Sequence, residues 1–253
     1  LTGFKNLSSY SNNKKMESLY KKKVLIIGAT GGIGRETAKL VKSSNAEVFI
    51  TGRDSEKLNA IATELDLAAN RVFQLDITDA NAVESVAAKI HAEIGVLDIV
   101  INSAGIGIIK PLEQLTYEDF DLTVSTNLRG TFNILKSFLP PMKAAKEGLI
   151  INMPGVLGKT PMAGAAAYSA SKYGVNGLVK SVREELKRTN VRITNIYMGG
   201  VDSPFWDNID LKVQKDKFIQ EKEAARAVWF LCQQPKSGVV SEMVIQPFNH
   251  QAI

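Results

Sequence analysis

Thiol and imidazole chemistry are nearly missing from this chain. Cys232 is its only cysteine, so no intramolecular disulfide can form, and the composition fits a reducing compartment. The neighbouring Ala227-Val228-Trp229-Phe230-Leu231 is apolar, which reads as the setting of a buried structural thiol. His91 and His250 are the only histidines, and neither has cysteine or carboxylate neighbours at metal-ligand spacing, so no metal site is expected. A Gly-x-Ser-x-Gly nucleophile elbow is absent. So is any apolar run long enough for a secretory signal or a membrane span, and the expectation is a cytoplasmic protein without a membrane partner.

A lasting charge imbalance is lacking too. The formal charge is +5, but residues 1–23 hold six lysines and one glutamate, and the other 230 residues carry 25 basic and 25 acidic side chains. The basic balance belongs to a tail with no groove-reading motif behind it, and no nucleic-acid partner is expected. Residues 1–22, rich in Ser, Asn and Lys, read as a flexible N-terminal extension. The chain starts at Leu1, and Met16 is a candidate natural start; residues 1–15 then read as a cloning remnant or as the end of a processed targeting segment.

From Lys23 onward short Val/Ile/Leu runs alternate with amphipathic stretches. Strands are expected at 24–27, 47–51, 71–75, 97–101, 149–152, 191–197 and 239–246. Helices are expected to about Ser44, over 55–67 and 79–93, from about Thr116 to a stop at Pro140-Pro141, over 168–188, and over 221–232. Strands of that composition alternating with helices predict an α/β fold: one doubly wound, parallel, seven-stranded sheet of Rossmann type, a single domain over 23–253.

Two stretches carry chemistry on their own residues. Gly28-Ala29-Thr30-Gly31-Gly32-Ile33-Gly34 lies between the first strand and the first helix. Glycines there let the backbone approach a pyrophosphate, which the N–H groups and dipole of the helix N-terminus then hold. Tyr168 and Lys172 stand four residues apart and share a helix face. A nearby ammonium favours the phenolate, so Lys172 is expected to lower the Tyr168 pKa and fit it for proton transfer.

The Gly-x-x-x-Gly-x-Gly spacing and the motifs after it resemble the short-chain dehydrogenase/reductase family from about residue 23 to 248. Asn102-Ser103-Ala104-Gly105 is similar to its Asn-x-Ala-Gly element, Asn127 to its helical asparagine, and Tyr168-x-x-x-Lys172 to its catalytic pair. The resemblance implies Tyr168 as general acid/base. Lys172 would hold the nicotinamide ribose and tune Tyr168, and Asn127 would hold a water in a proton relay. It implies cofactor contacts from Gly28, Thr30, Gly31, Gly32, Ile33 and Gly34, from Asp76 and Ile77, and from Asn102, Ala104 and Gly105. Gly199, Val201 and Ser203 are implied on the nicotinamide side. At the end of the second strand the expected acidic position is Gly52, followed by Arg53. A carboxylate there would repel a 2′-phosphate and a guanidinium can grip it, so NADP (as NADPH) is favoured over NAD.

One family residue is missing. Counting thirteen back from Tyr168 for the expected serine lands on Gly155, and residues 153–159 contain no hydroxyl. Loss of such a donor typically costs about 100- to 1000-fold in rate. Three readings stay open: an enzyme whose donor comes from elsewhere, such as Ser203 or a water; a nucleotide-binding regulatory or scaffold protein with lapsed activity; or an altered variant with an enlarged pocket. Met198, where the family usually has proline, is a second departure. Gly155, Val156, Leu157, Met162, Met198, Phe205 and Trp206 would line a largely apolar pocket for a hydrophobic ketone or secondary alcohol. The segment 204–220, with Lys212, Lys215 and Lys217, reads as a solvated, mobile lid. Association through the helices at about 116–138 and 168–188, with Pro247–Ile253 as a second contact, implies a homotetramer or homodimer.

Overall fold

A computed structural model describes residues 17–207, 209 and 211–249. Its strands and helices run in this order: β1 Lys23–Ile27, α1 Gly32–Ser43, β2 Glu47–Gly52, α2 Ser55–Glu64, β3 Val72–Gln74, α3 Ala80–Ile94, β4 Ile99–Asn102, α4 Tyr117–Val124, α5 Gly130–Ala145, β5 Glu147–Asn152, α6 Ala166–Glu185, β6 Asn190–Met198, β7 Val201–Asp202, β8 Ile219–Gln220, α7 Glu221–Cys232 and β9 Glu242–Ile245. The seven long strands form one parallel sheet in the order β3-β2-β1-β4-β5-β6-β9.

The central strands β1, β4 and β5 each carry an unbroken apolar run, Val24–Ile27, Ile99–Ile101 and Leu149–Ile151, because both faces of the sheet are covered, as a parallel sheet requires. Val24, Val48, Ile99 and Leu149 join Ala38, Leu58 and Val228 in a core under α1, α2 and α7. The next residue of each strand, Leu25, Phe49, Val100 and Ile150, turns to the opposite core with Val83, Ile134 and Val179 of α3, α5 and α6. The strand order reverses between β1 and β4, and the loops after the strands' carboxyl ends meet there. In open sheets of this kind that crevice is where ligands bind.

Two local features depart from the expected elements. Pro140 and Pro141 do not end the long helix; α5 continues to Ala145 and stops at Lys146, whose φ is 56°. Each proline deprives the carbonyl four residues earlier of its donor, but Lys136 is exposed and Ser137 half-buried, so water can meet both. Between α4 and α5 the chain makes a π-helical turn, Ser125–Arg129, which holds Asn127. Of the expected extension, residues 1–16 lie outside the described residues, and Leu19 packs into the core under α1. No helix of the described residues is long and apolar enough to cross a membrane. Cys232 is buried, and burial pushes its thiol up to about 12.

Candidate active site

The turn after β1 is wedged against the end of β4. Gly28 has a φ of 81°, and an added Cβ would lie 2.7 Å from the Ala104 backbone nitrogen, so any side chain there would drive the two loops apart. Ser103 ties the loops from the other side by donating to the Ile27 carbonyl at 2.7 Å. Asn102 donates to Thr131 on α5 at 3.1 Å and accepts from the Ala104 N–H at 3.3 Å. Helix α1 opens at Gly31 with no side-chain cap and no acidic residue in its first turn. Its first N–H groups are thus left to be met from outside the helix.

Asn127 is locked to the loop after β4. Its Oδ1 accepts from the Ile106 N–H and its Nδ2 donates to the Ile106 carbonyl, each at 2.9 Å, and Nδ2 also donates to Ser171 Oγ at 3.0 Å. Ser171 in turn donates to the Tyr168 carbonyl at 2.7 Å. Asn127 makes these bonds from within the π turn Ser125–Arg129. Gly105 closes the cluster: an added Cβ would sit 3.1 Å from Asn127 Oδ1 and 3.2 Å from Lys172 Nζ. Ser171, Ser103 and Thr131 escaped the sequence reading of the site, although Ser171 and Ser103 sit inside the motifs that pointed to it.

Lys172 is buried, with its Nζ 3.4 Å from the Met153 carbonyl and 5.3 Å from the Tyr168 ring centre. No carboxylate among the described residues pairs with it, and burial lowers its ammonium to about 8. Burial also raises the Tyr168 phenol above its ordinary range. The lowered phenol expected from the Tyr–Lys spacing is therefore not what these side chains alone produce. Enclosure favours both neutral forms, and an ammonium drawn toward neutrality exerts less pull on the phenol.

Gly155 faces Tyr168 as the count from the tyrosine implied. A Cβ added there would lie 3.8 Å from the Tyr168 hydroxyl and 3.5 Å from the Met198 carbonyl. Its backbone has φ 69° and ψ 167°, a region open essentially to glycine alone. The loop is therefore shaped around glycine, and a serine would not simply slot in.

Phe205 covers the tyrosine. Its ring centre is 5.8 Å from that of Tyr168, and its edge fills the space beside Gly107. Trp206 lies 5.2 Å from Phe205 and 5.2 Å from Phe218, and its Nε1 donates to the Val201 carbonyl at 2.9 Å. Val156, Leu157 and Met162 are half-buried on the loop between β5 and α6. Met198, expected to line the pocket, packs instead into the core with Val201 and Ile219, because it still belongs to β6 and points under α7. Val201 is buried there too, Ser203 half-buried beside it, and the Gly199 N–H donates to the Ile245 carbonyl at 2.9 Å.

At the end of β2, Thr30 lies against Gly52 and Arg53 is exposed. The adjacent Asp54 caps α2 by accepting from the Lys57 N–H at 3.0 Å, which directs its charge into that helix. Asp76 is exposed and accepts from the Thr78 N–H and hydroxyl at 2.8 Å, while Ile77 is buried against Gly130. A glycine turn opening into a helix that brings no side-chain cap of its own, beside the exposed Arg53 at the neighbouring strand end, fits a dinucleotide cofactor. Among the described residues no group of three or more His, Cys, Asp or Glu could hold a metal ion.

Comparison with known proteins gives the family and the fold. The family model described as short chain dehydrogenase matches residues 22–214. An uncharacterized oxidoreductase of Staphylococcus epidermidis is 31% identical over 232 residues, covering 92% of this chain and 100% of the relative. A metagenomic short-chain oxidoreductase solved in complex with NADP is similar at a TM-score of 0.77 and 32% identity, covering 92% of this chain and 100% of that one. An alcohol dehydrogenase from the archaeon Thermococcus sibiricus, complexed with 5-hydroxy-NADP, is similar at a TM-score of 0.82 and 28% identity, covering 91% and 98%.

Proposed function

The chain belongs to the short-chain dehydrogenase/reductase family, and from that membership we propose an NADP-dependent oxidoreductase acting between a hydrophobic ketone and its secondary alcohol. The observation that carries the reading is the intact cluster of Asn127, Ser171, Tyr168 and Lys172 around Gly105. NADPH, when bound, supplies the hydride. Tyr168, kept protonated by burial, gives its proton to the carbonyl oxygen, a direction that suits reduction. Lys172 would hold a sugar hydroxyl of the cofactor and, as a cation, would stabilise the phenolate left behind. Asn127 fixes the loop after β4 and aligns the route by which Tyr168 is reprotonated. Arg53 would contact the 2′-phosphate.

Gly155 favours a second reading, a protein that binds the nucleotide without turnover. Incubation with NADPH deuterated at the transferred position and a panel of apolar ketones separates the two. Deuterium in the alcohol carbon supports the enzyme; NADPH binding with no labelled alcohol across the panel supports the second reading and defeats the first. A reducing, cytoplasmic setting suits the single buried thiol. A homo-oligomer suits the apolar groove of about 510 Å³ between α5 and α6, which Phe132, Leu135, Leu139, Leu178 and Val182 line.

A further inference from the structure

The glycine turn is covered by a side chain from the far end of the sequence. Glu221 is the first residue of α7, and its position is set by a capping box between Gln220 and Glu223. A Cβ added to Gly32 would lie 1.5 Å from Glu221 Oε1 and 2.2 Å from its Cδ, so the carboxylate rests directly on Gly32. Gly32 is the first residue of α1, the helix that brings neither a cap nor an acidic residue to its own N-terminus. The carboxylate thus lies against the first turn of that helix without accepting from its N–H groups, close to the end where the diphosphate of a dinucleotide is held.

The groups facing Glu221 do not fasten it there. Glu36 on α1 and Asp202 on β7 repel it, while Arg35 and Lys39 on α1 attract it. Both cations are already engaged by Glu64 at 2.8 Å. Glu221 forms no ion pair among the described residues, and burial together with the two acids holds its carboxyl above the usual carboxylate range. A carboxylate in this setting imitates one phosphate charge without being tied down.

We propose that Glu221 is a displaceable internal occupant of the diphosphate cradle, so that a dinucleotide binds only by expelling its carboxylate. The proposal rests on the dinucleotide reading above and adds a residue that weakens binding rather than one that makes it. Both anionic groups would lie close to Gly32, and their mutual repulsion opposes the approach of the cofactor.

Calorimetric titration of the whole chain and of its Glu221→Gln and Glu221→Ala variants, with NADPH and separately with inorganic pyrophosphate, tests this. Both variants are expected to bind NADPH about tenfold more tightly than the parent, with a parallel gain for pyrophosphate, since the relieved repulsion is electrostatic and local. The rise in thermal midpoint produced by a fixed NADPH concentration should grow accordingly. NADPH affinity unchanged in both variants overturns the proposal and leaves the oxidoreductase reading standing. A gain for NADPH without one for pyrophosphate also overturns it, since the conflict then lies elsewhere in the cofactor. Failure of every form to bind NADPH or NADH removes the dinucleotide reading itself, and this inference with it.

Discussion

Gly155 is where the chemistry and the backbone constrain each other most tightly. An L side chain at φ 69°, ψ 167° carries about 1–3 kcal/mol of strain. Gly155→Ser is therefore expected to lower the thermal midpoint by several degrees without speeding NADPH turnover. A tenfold or greater gain in turnover at unchanged stability would show that the loop accepts the hydroxyl. Lys172 gives a pH signature. Its ammonium is lowered to about 8 from an ordinary 10.5, so the folded chain binds fewer protons than the unfolded chain between those values. The penalty is fully present below about 8 and is relieved as pH rises toward 10.5. Lys172→Met is accordingly expected to be more stable than the parent at neutral pH by about 2–3 kcal/mol while losing turnover. Thermal unfolding across pH should show that gap closing in alkali; a variant less stable at neutral pH contradicts the burial argument. Arg53→Ala is expected to weaken NADPH binding about tenfold and leave NADH unchanged, and an undiminished NADPH preference would defeat the Arg53 assignment.

At the scale of elements, Phe205 and Trp206, which follow β7, cover Tyr168 through tilted and edge-on ring contacts. The two-residue strands pair Val201 with Ile219 and Asp202 with Gln220, and Phe218, Trp206 and Phe205 form the ladder that ends on the tyrosine. Phe205→Ala is expected to raise KM for an apolar ketone about tenfold with a smaller change in kcat. Equal KM would mean that this ring does not touch the substrate. Little of this was legible beforehand. Strands of two residues leave no periodic trace, and the π turn at Asn127 looks like ordinary helix in sequence. Pro140 and Pro141 misled because a proline near a solvent-facing helix end deprives carbonyls that water can serve. Gly155 was readable as a missing hydroxyl, but not as a backbone that excludes one. Glu221 gave no signal, since nothing in its own neighbourhood mentions the glycine turn.

The whole molecule was the most legible part. Runs such as Val24–Ile27 and Leu149–Ile151 are apolar at every position because two cores, one on each side of the sheet, demand it. That requirement is written residue by residue. The outer face of α5 and α6 is a different matter: Phe132 is 46% exposed beside the apolar groove, a large ring left in water by the single chain. Phe132→Asp is expected to shift light-scattering mass toward the monomer at unchanged secondary structure, and a mass unaffected by it would place any association elsewhere.

The central claim is that Tyr168 moves the proton although its serine partner is gone. Turnover and NADPH binding of Tyr168→Phe measured side by side test it most directly. Turnover lower by at least about 100-fold at unchanged NADPH affinity is the expected result, given what proton transfer from a positioned group contributes. Turnover equal to that of the parent chain would contradict it.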